Sequence, residues 1–128
     1  MSLRTPLGTV LGRGASATGV GHWWSQRISA LALVPLSLWF LVALMRLPLS
    51  DHAWVTTWMA SGWNPLWLGL LLVTLCWHSR LGVQVVIEDY VHSPALKTLG
   101  LLGNSGAHVL LAAAGLYAVA RIALRGTP

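Results

Sequence analysis

Three long apolar segments dominate the sequence and limit what the chain can fold into. They cover about residues 23–47, 65–90 and 94–124, and the first carries no charge between Ile28 and Leu44. A helix needs about 20 apolar residues to cross a bilayer. Each segment is long enough to do so, and together they take up most of the 128 residues. We predict an all-α integral membrane protein with three transmembrane helices.

Composition supports this fold class and excludes several others. Only 9% of the residues are charged and 55% are hydrophobic, whereas a soluble domain carries about 25% charged residues. A water-soluble globule and a disordered chain are therefore excluded. The eight Lys and Arg residues outnumber the three acids but are scattered near the ends of the apolar segments. This pattern favours contact with lipid headgroups or a charged partner, and we predict no nucleic-acid binding.

The segments outside the spans suggest how the chain is organised. Residues 1–21 are rich in Gly, Ser and Thr, which predicts a mobile N-terminal segment ahead of a membrane-anchor domain at 22–128. Asn64 and Ser93 each precede a proline and are the predicted caps of the second and third spans.

A short interfacial helix is predicted in the first loop. Asp51 would cap it, and Val55, Trp58 and Met59 would lie on one side of it. With several tryptophans nearby, the helix is expected to lie on the membrane surface.

Charge asymmetry gives the predicted orientation. In a three-span protein the N-terminus and the second loop lie on the same side. This side carries four cations, and the other carries Arg46, Arg121 and Arg125. The small excess predicts a cytoplasmic N-terminus, because basic residues concentrate on that side of a membrane.

His78 lies about halfway along the second span. Placing an ionisable group inside a span costs free energy, so such a group indicates a partner, a cofactor or a pathway for ions or protons. A haem iron can accept the lone pair of a neutral imidazole, and Gly82, one turn later on the same face, would leave room for a porphyrin edge. A hydrogen bond to a carbonyl or polar side chain of another helix would equally satisfy the ring. The residues alone leave both interpretations open.

Asp89 and Tyr90 are expected at the membrane surface, at the end of the second span. Asp89 follows His78 by eleven residues, about 16 Å along a helix axis. A phenol hydroxyl there can donate a hydrogen bond to a quinone oxygen, and a neighbouring carboxylate can relay protons. The alternative is an interfacial tyrosine beside a solvated acid.

Arg27 opens the first span and is expected at the level of Tyr90. It could pair with a haem propionate, with Asp89 or with lipid phosphate. The same alternatives hold for His22.

The remaining polar residues in the spans favour packing roles. Arg80 follows His78 by two residues and should face away from it, toward an acid of another subunit or the membrane surface. Asn104 and His108 form a short polar stripe on the third span, which favours a hydrogen bond between helices. The small residues before and after Asn104 would let another helix approach closely.

Two stretches make the chain recognisable. Residues 21–30 read GHWWSQRISA, and residues 78–92 read HSRLGVQVVIEDYVH. The most specific pattern is a histidine, a glycine four residues later, and Asp-Tyr at eleven and twelve. With these stretches the chain resembles the small hydrophobic membrane-anchor (cytochrome b) subunit of succinate dehydrogenase, respiratory complex II, in its alphaproteobacterial form. The resemblance covers all three spans.

The resemblance implies roles for individual residues. His78 matches the axial ligand of haem b, whose second axial histidine would come from the larger cytochrome b anchor subunit. Tyr90 matches the tyrosine that hydrogen-bonds ubiquinone, and Asp89 matches its acidic neighbour. Arg27 matches an arginine near the haem propionates and the quinone pocket, and we place His22 and Gly82 in the same surroundings.

The resemblance also implies a function, as an anchor subunit of succinate:ubiquinone oxidoreductase in the bacterial inner membrane, with the N-terminus cytoplasmic. Succinate would be oxidised in a flavoprotein subunit, and an iron–sulfur subunit would pass the electrons to ubiquinone. This links the tricarboxylic acid cycle to the respiratory chain, and the chain by itself would not be catalytic. Two alternatives are the anchor of a fumarate reductase and a purely structural membrane protein without cofactor. No role in cofactor binding or electron transfer is assigned to Arg80, Glu88, His92 or His108.

Overall fold

The computed structural model describes residues 19–125, and this part of the chain is built from helices. The helices are α1 (Gly19–Arg46), α2 (His52–Ala60), α3 (Asn64–Tyr90) and α4 (Pro94–Arg125). Three of them, α1, α3 and α4, are long and apolar enough to cross a membrane. The predicted all-α fold, with three transmembrane helices and a short helix in the first loop, is confirmed. The predicted mobile segment lies outside the described residues except at 19–21, which form the start of α1.

Helix α3 is the centre of the bundle. It packs against α1 on one side and α4 on the other, and the short helix α2 contacts both α3 and α4. Among the described apolar side chains, Leu36 of α1 and Leu81 of α3 are buried, whereas many other large ones are exposed. An apolar exterior of this extent is suited to lipid tails or to other membrane subunits.

The predicted cap of α2 is confirmed. One carboxylate oxygen of Asp51 accepts hydrogen bonds from the backbone N–H groups of Ala53 and Trp54, at 2.9 and 3.2 Å. These bonds satisfy two of the N–H groups that a helix start leaves without partners.

Aromatic packing fixes α2 to the spans. The side of α2 that carries Val55, Trp58 and Met59 is partly buried. The Trp58 ring stacks on Trp39 of α1, with ring centroids 5.7 Å apart, and Trp39 also lies 5.9 Å from Trp67 of α3.

The predicted capping role of Asn64 is wrong. Helix α3 already begins at Asn64, and the residue before it, Trp63, makes no side-chain capping bond. The Asn64 amide instead donates to the carbonyl of Trp58, at 2.8 Å, and to the Ser61 hydroxyl, at 3.2 Å. The side chain therefore points back and ties α3 to the end of α2. Helix α4 starts at Pro94 as predicted, and the preceding Ser93 accepts the Lys97 N–H through its carbonyl.

Candidate functional site

The imidazole of His78 faces α1. Its Nδ1 lies 3.0 Å from the hydroxyl oxygen of Ser29, a residue with only 6% of its surface exposed. The Ser29 hydroxyl in turn donates to the backbone carbonyl of Gln26, also at 3.0 Å. One ring nitrogen of His78 is therefore held firmly by the first span.

The other ring nitrogen of His78 is held loosely. Its Nε2 lies 3.5 Å from the side-chain nitrogen of Gln26, close to the outer limit for a hydrogen bond. The Gln26 side-chain oxygen is buried and has no hydrogen-bond partner within residues 19–125. This half of the imidazole retains unused bonding capacity.

A cleft of about 550 Å³ opens between α1 and α3 beside this contact. It is lined from α1 by His22, Trp23 and Gln26, and from α3 by Gly82, Gln84, Val85 and Glu88. Of the residues predicted to surround a cofactor, His22 and Gly82 therefore meet at one cleft. The Nε2 of His22 is buried and also lacks a partner in the described part of the chain.

His78 itself does not line the cleft, because the Gln26 amide stands between them. The Gln26 nitrogen is 3.5 Å from His78 Nε2 and 3.9 Å from the position that a side-chain carbon would take at Gly82. Gln26 and Ser29 were not singled out from the sequence. The signal that could have found them is a pair of polar residues three positions apart, on one face of an apolar helix.

Asp89 and Tyr90 form the last two residues of α3, as predicted. Both are exposed, and Tyr90 has 78% of its surface accessible. Neither side chain makes a hydrogen bond to another residue of the described range. The structure does not bring them into the cleft, which ends at Glu88, and Glu88 accepts a hydrogen bond from the Gln84 amide at 2.8 Å.

Arg27 lies deeper than expected. Its neighbour Gln26 contacts His78 and lies beside Gly82, so Arg27 is near the level of these residues and below that of Tyr90. Helix α1 begins at Gly19, several residues before the predicted start of the span. The Arg27 guanidinium is exposed and lies over the Trp23 ring, 5.2 Å from its centroid.

A second polar cluster joins α3 to α4. His108 Nδ1 donates to the Asn104 carbonyl at 2.8 Å, and its Nε2 lies 3.1 Å from the Ser79 hydroxyl. The buried Asn104 amide donates to the carbonyl of Arg80 at 2.9 Å. The hydrogen bond between helices predicted for the Asn104 and His108 stripe is confirmed.

Arg80 faces away from His78, as predicted, but its partner was not foreseen. Its Nε donates to the Ser105 hydroxyl of α4 at 3.1 Å, and its guanidinium lies 5.1 Å from the centre of the Trp77 ring. Within the described residues the arginine thus bonds a neutral hydroxyl.

Only some of the small residues of α4 lie in close contact with α3. At Gly100 an added side-chain carbon would lie 3.3 Å from Ile87, so the two helices approach closely there. Gly103 and Gly106 have open space instead. The predicted close approach therefore holds for one face of α4.

The chain matches a known family along nearly its whole length. The family model for the succinate dehydrogenase/fumarate reductase transmembrane subunit covers residues 1–120. The succinate dehydrogenase hydrophobic membrane anchor subunit of Rickettsia bellii (strain RML369-C) is 32% identical over 106 residues, covering 83% of this chain and 85% of the relative.

A further relative agrees with this assignment. The succinate dehydrogenase membrane anchor subunit of Reclinomonas americana is 31% identical over 88 residues, 66% of this chain and 72% of the relative. No solved structure gives a significant match. The resemblance predicted from residues 21–30 and 78–92 is confirmed, and the three apolar helices make the chain a multi-pass membrane protein. The chain belongs to the succinate dehydrogenase/fumarate reductase transmembrane subunit family, as a membrane anchor subunit of succinate dehydrogenase.

Proposed function

We propose that this anchor subunit shares the ligation of haem b and contributes to the ubiquinone-reduction site of succinate:ubiquinone oxidoreductase. The observation that carries the proposal is the asymmetry of His78. One ring nitrogen is bonded to Ser29 at 3.0 Å, while the other is 3.5 Å from its nearest partner, beside a cleft.

The residues around this cleft fit a haem edge. A haem iron takes only axial ligands from the protein, so a single imidazole from each of two subunits is sufficient. His78 would supply one imidazole, and the side chain of Gln26, which is flexible, would move aside. The unpartnered polar atoms of His22 and Gln26 could bond polar groups at the porphyrin rim. When bound, the haem supplies one-electron redox chemistry.

The quinone part of the proposal rests on the end of α3. The exposed Tyr90 hydroxyl is free to donate a hydrogen bond to a ubiquinone oxygen. That bond strengthens as negative charge develops on the oxygen during reduction, so it favours the reduced species. Asp89 is the neighbouring acid that could hold or relay a proton. Arg27, near the depth of His78, would contribute positive charge between the two sites.

The same proposal assigns partners and location. Electrons would pass from a flavoprotein subunit through an iron–sulfur subunit to ubiquinone, and the larger cytochrome b anchor subunit would supply the second haem ligand. The exposed apolar faces of α1 and α4 are suited to such a partner and to lipid. We place the chain in the bacterial inner membrane with a cytoplasmic N-terminus, which the distribution of Lys and Arg supports.

Replacing His78 tests the haem assignment. In His78→Ala we expect the purified complex to lose or strongly alter its reduced-minus-oxidised b-type spectrum, because the iron loses an axial ligand. His108→Ala is the matched control, since it removes an imidazole from the other helix interface. A spectrum unchanged in His78→Ala would contradict the assignment and favour a purely structural histidine.

Replacing Tyr90 tests the quinone assignment. Tyr90→Phe keeps the ring and removes one hydroxyl, so we expect ubiquinone reduction to fall about 100–1,000-fold, as when one transition-state hydrogen-bond donor is lost. Succinate oxidation with a soluble electron acceptor and the amount of assembled complex should stay unchanged. Ubiquinone reduction at the normal rate would remove Tyr90 from the site.

A further inference from the structure

The contacts of Ser29 restrict where the proton of a neutral His78 can lie. The Ser29 hydroxyl is 3.0 Å from the Gln26 carbonyl and 3.0 Å from His78 Nδ1. A hydroxyl has a single proton, so it can donate to only one of them and must accept from, or leave unpaired, the other. A backbone carbonyl can only accept.

Two arrangements of protons are conceivable. In the first, Ser29 donates to the Gln26 carbonyl and accepts the N–H of His78 Nδ1, which forms two bonds of 3.0 Å. In the second, Ser29 donates to Nδ1, which leaves the Gln26 carbonyl without that proton. The N–H of Nε2 would then face the Gln26 side-chain nitrogen at 3.5 Å, which is itself a donor and cannot accept it. The first arrangement pairs the Ser29 hydroxyl, the Gln26 carbonyl and His78 Nδ1 at 3.0 Å, and it leaves Nε2 as an acceptor facing the Gln26 amide nitrogen.

We propose that Ser29 is a positioning residue that holds His78 in the Nδ1–H tautomer and so makes Nε2 the iron ligand. The inference rests on the proposed haem ligation and deepens it. Ser29 blocks Nδ1 by direct contact, whereas the lone pair of Nε2 points toward Gln26 and the cleft. A ligating histidine commonly donates its other ring N–H to an acceptor, which fixes the tautomer and raises the basicity of the ligand.

The burial of Ser29 helps its hydroxyl to fix the tautomer of His78. Ser29 is 6% exposed, so water competes little for its hydroxyl or for Nδ1. Ser29 and Gln26 lie three residues apart on α1 and project from one face. A single stretch of the first span thus holds one nitrogen of His78 and covers the other with a side chain that can move.

The test compares Ser29→Ala with Ser29→Thr in the assembled complex. Ser29→Ala removes the acceptor, so we expect haem affinity to fall at least tenfold, as for other residues that support metal ligands. We also expect the haem that remains to have a higher midpoint potential and a shifted low-spin EPR signal, because the imidazole becomes less basic. Ser29→Thr retains a hydroxyl and should keep the haem content, potential and EPR signal of the unmodified complex.

Ser37→Ala is the matched control. Ser37 lies on the same helix and also donates to carbonyls of its own helix, those of Leu33 and Val34, but it contacts no histidine. It should leave all three haem readouts unchanged. If Ser29→Ala does not assemble, Ser29→Cys keeps nearly the same volume with a weaker acceptor and should shift the potential in the same direction.

The outcomes separate this inference from the proposed function. Loss of the haem signal in His78→Ala, together with unchanged affinity, potential and EPR signal in Ser29→Ala or Ser29→Cys, would overturn the role of Ser29 alone. A Ser29→Thr variant that behaves like Ser29→Ala would also overturn it, because the hydroxyl would then be irrelevant. An unchanged haem signal in His78→Ala would overturn the ligation itself.

Discussion

The two histidines inside the membrane lie in different helix interfaces and are bonded differently. His108, between α3 and α4, has both ring nitrogens within 3.1 Å of a protein oxygen. His78, between α1 and α3, has one contact at 3.0 Å and one at 3.5 Å, and a cleft lies beside the second. A buried polar group is costly unless it is bonded, so His108 has the arrangement of a packing residue. His78 keeps a nitrogen available for something else.

The residues around His78 and those around His108 differ in the same way. On the α1 side, polar atoms of both His22 and Gln26 are buried without hydrogen-bond partners in the described part of the chain, and both residues line the cleft. On the α4 side, Asn104 and Arg80 each donate across the helix interface, although the Asn104 side-chain oxygen has no partner among residues 19–125. Of the two interfaces, the one at His78 is therefore the one that leaves a ring nitrogen weakly bonded and a cleft beside it.

Filling the cleft should have the largest effect. In Gly82→Leu the new side chain would project into the space beside Gln26, and we expect haem content to fall at least tenfold. Gly82→Ala is the control, because its side-chain carbon would meet the nearest atom at an ordinary 3.9 Å and should leave the haem nearly intact. Normal haem content in Gly82→Leu would show that this cleft is not the cofactor site.

An intermediate effect is expected from Asn104→Leu in the other interface. The substitution removes the hydrogen bond to the Arg80 carbonyl, and we expect stability to fall by about 1–3 kcal/mol. A lower midpoint of thermal inactivation of the detergent-solubilised complex would measure it. The haem spectrum should remain unchanged. A lost spectrum at unchanged stability would contradict the assignment of packing to this interface and haem binding to the other.

The smallest effect is expected from Ser79→Ala, which removes the hydroxyl partner of His108. Loss of one neutral hydrogen bond should lower stability by about 1 kcal/mol. This variant pairs with Ser29→Ala, since each serine contacts one of the two histidines. The haem midpoint potential should move only when Ser29 is changed, and a shift of similar size in Ser79→Ala would remove the distinction between them.

Local chemistry allowed most of the fold to be predicted from the sequence. The lengths of the apolar segments indicated the three spans, and Asp51 indicated the start of the short helix. The pairing of Asn104 with His108 followed from their spacing of one helical turn. These features depend on residues close in sequence, for which helix geometry is sufficient.

Features that depend on how the helices are aligned were harder to predict. Ser29 and Gln26 become important only because α1 sets them opposite His78, and Arg27 lies deeper than its place in the sequence suggested. The partner of Arg80 is a hydroxyl on another helix, which no local pattern identifies. In a membrane the relative positions of helices depend on close packing of many side chains, and that information is spread over the whole chain.

The short helix α2 has a mechanical consequence for assembly. It contacts α3 and α4 directly and reaches α1 through the stacked Trp58 and Trp39 rings, so it fastens all three spans together at one end. At the opposite end, where the cleft and Tyr90 lie, no comparable helix connects the spans among the described residues. Under the proposed haem ligation, we therefore expect the prosthetic group to enter by a small outward pivot of α1, without any unfolding of the anchor.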